Sequence, residues 1–162
     1  MIKLFTLFII MLSSLMATSY NFSETRYSDA FNESISLSGE ISFLQDGLSI
    51  KYKNSDKSLH YENGDLSYLQ NGKSIEISEE EATRIIQYFE IIILLYSGDE
   101  NSLNREFSVT KEKDRFFLTP LSEMKNYISK IELKKEEKQL QMIKLFLSNS
   151  DNITISIEDE IR

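Results

Sequence analysis

Between Ile85 and Leu103 the chain reads IIQYFEIIILLYSGDENSL, and the last two turns of the helix this spells, Ile91 to Tyr96, have no polar side. A helix that is apolar all round has to be covered on more than one side. Its start is marked by Ser78 and Glu81 at capping-box spacing, with Glu79 to Glu81 at the positive helix end. Five turns then run to Ser97-Gly98. Ile85, Ile86, Phe89, Ile92, Ile93 and Tyr96 follow the helical period, and Tyr88, Ile91, Leu94 and Leu95 fill a second face. Asp99 can cap a second, short helix through Glu106.

Nearly everything else alternates. Ile35, Leu37, Ile41 and Phe43 interleave with serines and Glu40, and Gly39 stands in the apolar register, where a strand can bend or bulge. Leu48, Ile50 and Tyr52 repeat the pattern, as do Leu59 and Tyr61. The Asn-Gly pairs in ENGD (Glu62 to Asp65) and QNGK (Gln70 to Lys73) are tight hairpin turns, so successive strands are antiparallel neighbours. After the helices, strands are expected at 107–111, 115–119, 129–134, 139–147 and 153–158, with a helical turn after Pro120. Counting Tyr20 to Tyr27 as the first strand gives about 11. In 139–147 Met142 and Phe146 point one way and Ile143, Leu145 and Leu147 the other, so either both faces are covered or a bulge switches the register. The architecture expected is α+β: one large curved antiparallel sheet with helices on one face.

The first 19 residues read separately as an export leader. Lys3 is the positive start, Leu4 to Leu12 the apolar core, and Ala17-Thr18-Ser19 the small-residue site before Tyr20. The alternative is an uncleaved N-terminal anchor. Cleavage would leave a single domain, 20–162, with no cysteine for a lipid anchor or a disulfide. The formal net charge of -8 argues against nucleic acid and against docking on anionic lipid, and no basic patch is visible in the order of residues. His60, the lone histidine, reads as an exposed strand residue beside Ser58 and Glu62. SEEE reads as a helix start and KKEEK as a turn. No catalytic set, metal cluster or phosphate loop is present in the pattern, so neither an enzyme nor a cofactor is expected.

Several stretches resemble a known family. FSETRYSDAFNESISLSGEISFLQDGLSIKY and LHYENGDLSYLQNG are similar to the opening strands of LolA-like proteins, periplasmic carriers of outer-membrane lipoproteins. LLYSGDENSLNREFSV and RFFLTPLSEMKNYISKIEL resemble still more a LolA-related branch found in aryl-polyene lipid gene clusters. The resemblance implies an incomplete β-barrel of 11 strands with helices as a lid over an apolar cavity, in a periplasmic monomer. It implies an acylated lipoprotein or lipid as cargo, an inner-membrane exporter as donor and an outer-membrane acceptor. The acyl-lining positions it implies are Leu37, Ile41, Phe43, Leu48, Ile50, Tyr52, Ile85, Phe89, Ile92, Ile93, Tyr96, Leu118, Ile131 and Leu133. Two features depart from the family: strand-like residues begin at Tyr20 with no helix before them, and Ser49, with Lys51 beside it, stands where the carrier has an arginine that latches the lid. The expectation is then a lid with no polar lock, held by apolar contacts and helix caps. The alternative to a carrier is an interaction subunit whose concave face is filled by its own side chains.

Overall fold

The computed structural model describes residues 17–53, 55–137 and 139–161. Most of the stretch expected to be an export leader, residues 1–16, lies outside the described residues. Eleven strands form one sheet: β1 (Thr18–Ser28), β2 (Glu33–Leu44), β3 (Gly47–Tyr52), β4 (Lys57–Glu62), β5 (Asp65–Gln70), β6 (Lys73–Ser74), β7 (Phe107–Glu112), β8 (Arg115–Pro120), β9 (Ile128–Glu136), β10 (Gln139–Leu147) and β11 (Asn152–Glu160). Their spatial order is β6-β5-β4-β3-β2-β1-β11-β10-β9-β8-β7, every neighbour antiparallel. Pairing of β1 with β11 joins two meanders, and the sheet curves without closing. Helices α1 (Glu79–Ser97) and α2 (Glu100–Glu106) connect the edge strand β6 to the opposite edge strand β7.

The local signals act as expected. Ser78 Oγ accepts from the Glu81 amide at 3.2 Å, Gly98 closes α1 in the left-handed conformation, and Asp99 caps α2 through the Ser102 amide at 3.0 Å. Asn63-Gly64 and Asn71-Gly72 all have positive φ, the twist that a two-residue hairpin turn needs. A four-residue 3-10 turn, Glu123–Asn126, follows Pro120. β1 begins two residues earlier than expected, with Thr18 opposite Phe43 and Ser19 opposite Ser42.

Inward positions run from strand to strand as continuous rows. Phe43, Leu48 and Tyr61 form one, and Ile41, Ile50 and Leu59 another. On the other side Ile155, Ile143 and Leu133 make a third row and Ile153, Leu145 and Ile131 a fourth. α1 lies on this face and buries Phe89, Ile91, Ile92 and Leu95 against it. Of the two solutions open for β10, the bulge is the one found: the register against β9 shifts between Leu140 and Met142, so Leu140 joins Ile143 and Leu145 inside.

Candidate functional site

The concave face is mostly apolar, and among the described residues it buries one charge, on β1. Tyr20, Phe22, Glu24 and Arg26 alternate along β1 on the inward side, and the first two join the core. Glu24 is 1% exposed, the only buried charged residue among those described. Its carboxylate pairs with the Arg26 guanidinium and accepts a hydrogen bond from the Tyr88 hydroxyl of α1 at 3.3 Å. Arg26, its side chain 48% exposed, also reaches the Tyr52 hydroxyl at 3.4 Å. Burial, and next the charge of Glu24, push the Tyr88 phenol well above its ordinary range, and the same two causes push Tyr52 up to about 12. Burial acts to lower the Arg26 guanidinium, but the adjacent Glu24 carboxylate outweighs it and the net shift is upward.

Two more polar contacts tie α1 to the sheet. The Tyr61 hydroxyl of β4 donates to Glu90 Oε1 at 2.9 Å, and the hydroxyls of Tyr20 and Tyr96 share a hydrogen bond at 3.3 Å. Phe43 stacks on Tyr96 with ring centroids 3.5 Å apart. The expectation of a lid with no polar lock is therefore corrected. Ser49 and Lys51 point to the outer face, opposite Ser42 and Glu40, while the arginine that reaches the inner face comes from β1. The register of Tyr20 and Phe22, carried two and four residues on, was the signal for Glu24 and Arg26.

All 14 positions proposed as acyl-lining lie on the concave face or on α1. Ile41, Phe43, Leu48, Ile50, Phe89, Ile92, Leu118, Ile131 and Leu133 are buried in the core, and Tyr52, Ile85, Ile93 and Tyr96 are partly buried against it. Leu37 is half-buried opposite Glu24. Ile41, Leu48, Ile92, Leu95 and Ile131 are 0% exposed. A side chain at zero exposure borders no space large enough for water, so α1 fills the interior in this arrangement.

An opening lies at one end of the half-barrel. A groove of about 280 Å³ is lined by Arg26, Phe31, Ile35, Leu147, Ile153 and neighbouring polar groups. Phe31 is 78% exposed and Ile35 63%. The β1–β2 and β10–β11 turns that frame the groove are braced by the Asp29 amide donating to Asp151 Oδ1 at 2.8 Å. Of the residues framing this groove, sequence reading assigned none to a site. His60 sits on the outer face beside Glu62, Nε2 to Oε2 3.5 Å, as expected.

No family model matches the chain, and no curated protein matches its sequence. Among solved structures it is similar to a Vibrio parahaemolyticus domain named for outer membrane lipoprotein sorting, at 7% identity and TM-score 0.49, over 92% of this chain and 86% of that one. It is similar also to a LolA superfamily protein of Nitrosomonas europaea, at 7% identity and TM-score 0.41, over 91% and 86%.

Proposed function

We propose that this chain is a periplasmic carrier that shields the acyl chains of a lipoprotein or lipid-linked cargo on its way toward the outer membrane. The observation that carries the reading is how α1 is held. The ladder of the sheet is continuous without it, and side chains alone attach it to a concave face paved with Ile, Leu and Phe. Lifting α1 would leave the sheet whole and expose an apolar surface for an acyl chain to cover. The resemblance of the opening strands to LolA-like carriers, and of the Leu94 to Val109 region to a LolA-related branch, supports the same reading.

Magnitudes say what loading requires. The rim groove, about 280 Å³, is at the small end of ligand sites, which run from roughly 300 to 1,000 Å³, so it admits the end of a chain and not a whole cargo. Full entry needs α1 to move. Burying a CH₂ contributes about 0.8 kcal/mol, so a chain of about 16 carbons gains on the order of 12 kcal/mol in full contact. A bilayer offers nearly the same, and α1 loses its own burial as it leaves. Transfer from a bilayer is then balanced only if α1 recovers most of that burial by packing on the bound acyl chain.

The zero exposure of Ile41, Leu48, Ile92 and Leu95 favours a second reading, an interaction subunit with a permanently filled core. One experiment separates the two. The chain has no tryptophan, so a Tyr96→Trp variant has a single emission reporter under the lid. The carrier reading expects quenching by a brominated fatty acid, and a lipid mass in native mass spectrometry of protein purified from the periplasm. Absence of both leaves the filled-core subunit.

A further inference from the structure

We propose that the outer face of β8, β9 and β10 is a docking surface for an anionic lipid bilayer. The charge of this acidic chain is unevenly placed. Ten of its 18 Lys and Arg, but seven of its 26 Asp and Glu, fall between Arg105 and Lys144. Alternation along three strands sends Phe116, Leu118, Ile131 and Leu133 inward and places four of the ten cations, Arg115, Lys130, Lys134 and Lys144, outside. Register sets Arg115 beside Lys134 and Phe117 beside Glu132, then Lys130 beside Phe146, Glu132 beside Lys144 and Lys134 beside Met142. A basic patch therefore exists, which corrects the expectation from residue order.

Two carboxylates share the outward positions of these strands, Glu132 in the middle and the exposed Glu136 at the end of β9, opposite Gln139. Glu132 is taken by Arg115 at 2.6 Å, and Asp114 of the β7–β8 turn lies 4.0 Å from Lys134. Among the described residues Lys130 and Lys144 have no carboxylate in ion-pair range. Their ammonium groups stand over rings instead, Lys130 4.4 Å from the centroid of Phe146 and 5.7 Å from that of Phe117, Lys144 4.9 Å from Phe146. The stems thus cover half-buried phenyl groups. If the ammonium groups turn to lipid phosphates, the phenyl rings are uncovered and can be buried at the boundary between headgroups and acyl chains.

The arrangement fits a bilayer better than an acidic protein. It offers flexible lysines rather than free bidentate arginines, on an open sheet face with no cleft to order a particular carboxylate. Laterally mobile phosphates can adapt to it. The acidic remainder includes Glu79 to Glu81 at the start of α1, which follows the far edge strand β6. Charges beyond about 8 Å are largely screened at physiological ionic strength, so the local patch decides docking and the net charge decides orientation.

The surface rests on the carrier reading for its use, since a carrier meets its cargo at a membrane, but vesicle binding is read with no acyl probe, so either can fail alone. The test is co-sedimentation with vesicles of phosphatidylcholine alone and of equimolar phosphatidylcholine and phosphatidylglycerol. Binding only to the anionic vesicles, weakening with salt, is expected. Each lysine near such a surface is worth about fivefold, so Lys144→Gln should cost about that and the Lys130→Gln/Lys144→Gln pair about 25-fold. Lys51→Gln, on the outer face of β3, should cost little. Circular dichroism checks that each variant is folded. No binding to anionic vesicles at low salt, equal binding to neutral ones, or an equal loss from Lys51→Gln would overturn the proposal, as would binding to polyglutamate but not to vesicles.

Discussion

Glu24 stands in an inward register that its neighbours fill with Phe22 and Tyr20, and it survives there because its charge is shared out. An unpaired carboxylate in a dry core costs several kcal/mol, whereas this one meets a guanidinium that keeps half its surface in water and a phenol from the lid. Tyr88→Phe removes one hydrogen bond to a charged group, and at 3.3 Å it should cost about 1.5 kcal/mol in urea unfolding, the low end for such bonds. The raised phenols of Tyr52 and Tyr88 also set an alkaline limit. The folded chain holds these protons more tightly than the unfolded chain, whose phenols titrate near pH 10. Their contribution is fully present below about pH 10 and is lost as pH rises through the folded values, about 12 for Tyr52. Urea midpoints should be flat up to about pH 10 and fall above it, and Tyr88→Phe should flatten the fall. Gly39 is required for space rather than for φ. A Cβ there would meet the Lys51 carbonyl oxygen at 2.1 Å and Phe22 Cε1 at 2.9 Å, and the rings of Phe22 and Tyr52 close over the glycine at 5.9 Å. Gly39→Ala should cost about 1–3 kcal/mol, read by the same denaturation.

At the scale of elements, α1 is the part on which the proposed carrier function turns. Its caps, its acidic first turn and its two apolar faces are written in consecutive residues, which is why its limits were legible from Ser78 to Gly98. What holds it was not legible, because Tyr88, Glu90 and Tyr96 find partners in β1 and β4, 29 to 76 residues away. These contacts predict an order of opening. Hydrogen exchange in 85–103 should be faster than in β2 and β10. A Tyr61→Phe/Tyr88→Phe pair, which cuts two tethers without touching the ladder, should speed exchange in α1 alone. Equal protection of α1 and the strands, in wild type and pair alike, would mean that the helix is permanent core and would remove the observation behind the carrier reading. β10 gives the complementary lesson. Its alternation contradicts itself across Leu140 to Ile143, and the contradiction marked a bulge whose existence only the pairing with β9 resolved.

For the molecule as a whole, the meeting of the two chain ends makes a prediction about processing. Thr18 and Ser19 extend β1, yet Tyr20 is the first inward aromatic, so removal of the leader after Ser19 would keep the Tyr20 contacts with Phe43 and Tyr96. If the chain is exported as proposed, intact mass of the protein recovered from the periplasm should show a start at Tyr20, and a retained Met1 would count against export by cleavage. Among the described residues no helix is long and apolar enough to cross a membrane. Alternation, Asn-Gly turns and capping residues act within a few residues of themselves, so the sequence alone determined about eleven strands, two helices with a further helical turn, and an apolar face on a curved sheet. Which strands meet is a different kind of fact. The pairing of β1 with β11, more than a hundred residues apart, the burial of Glu24, the filling of the interior by α1 and the gathering of cations on β8 to β10 all depend on contacts between distant segments. Such contacts compete in one three-dimensional space, and only the folded sheet decides which of them are made.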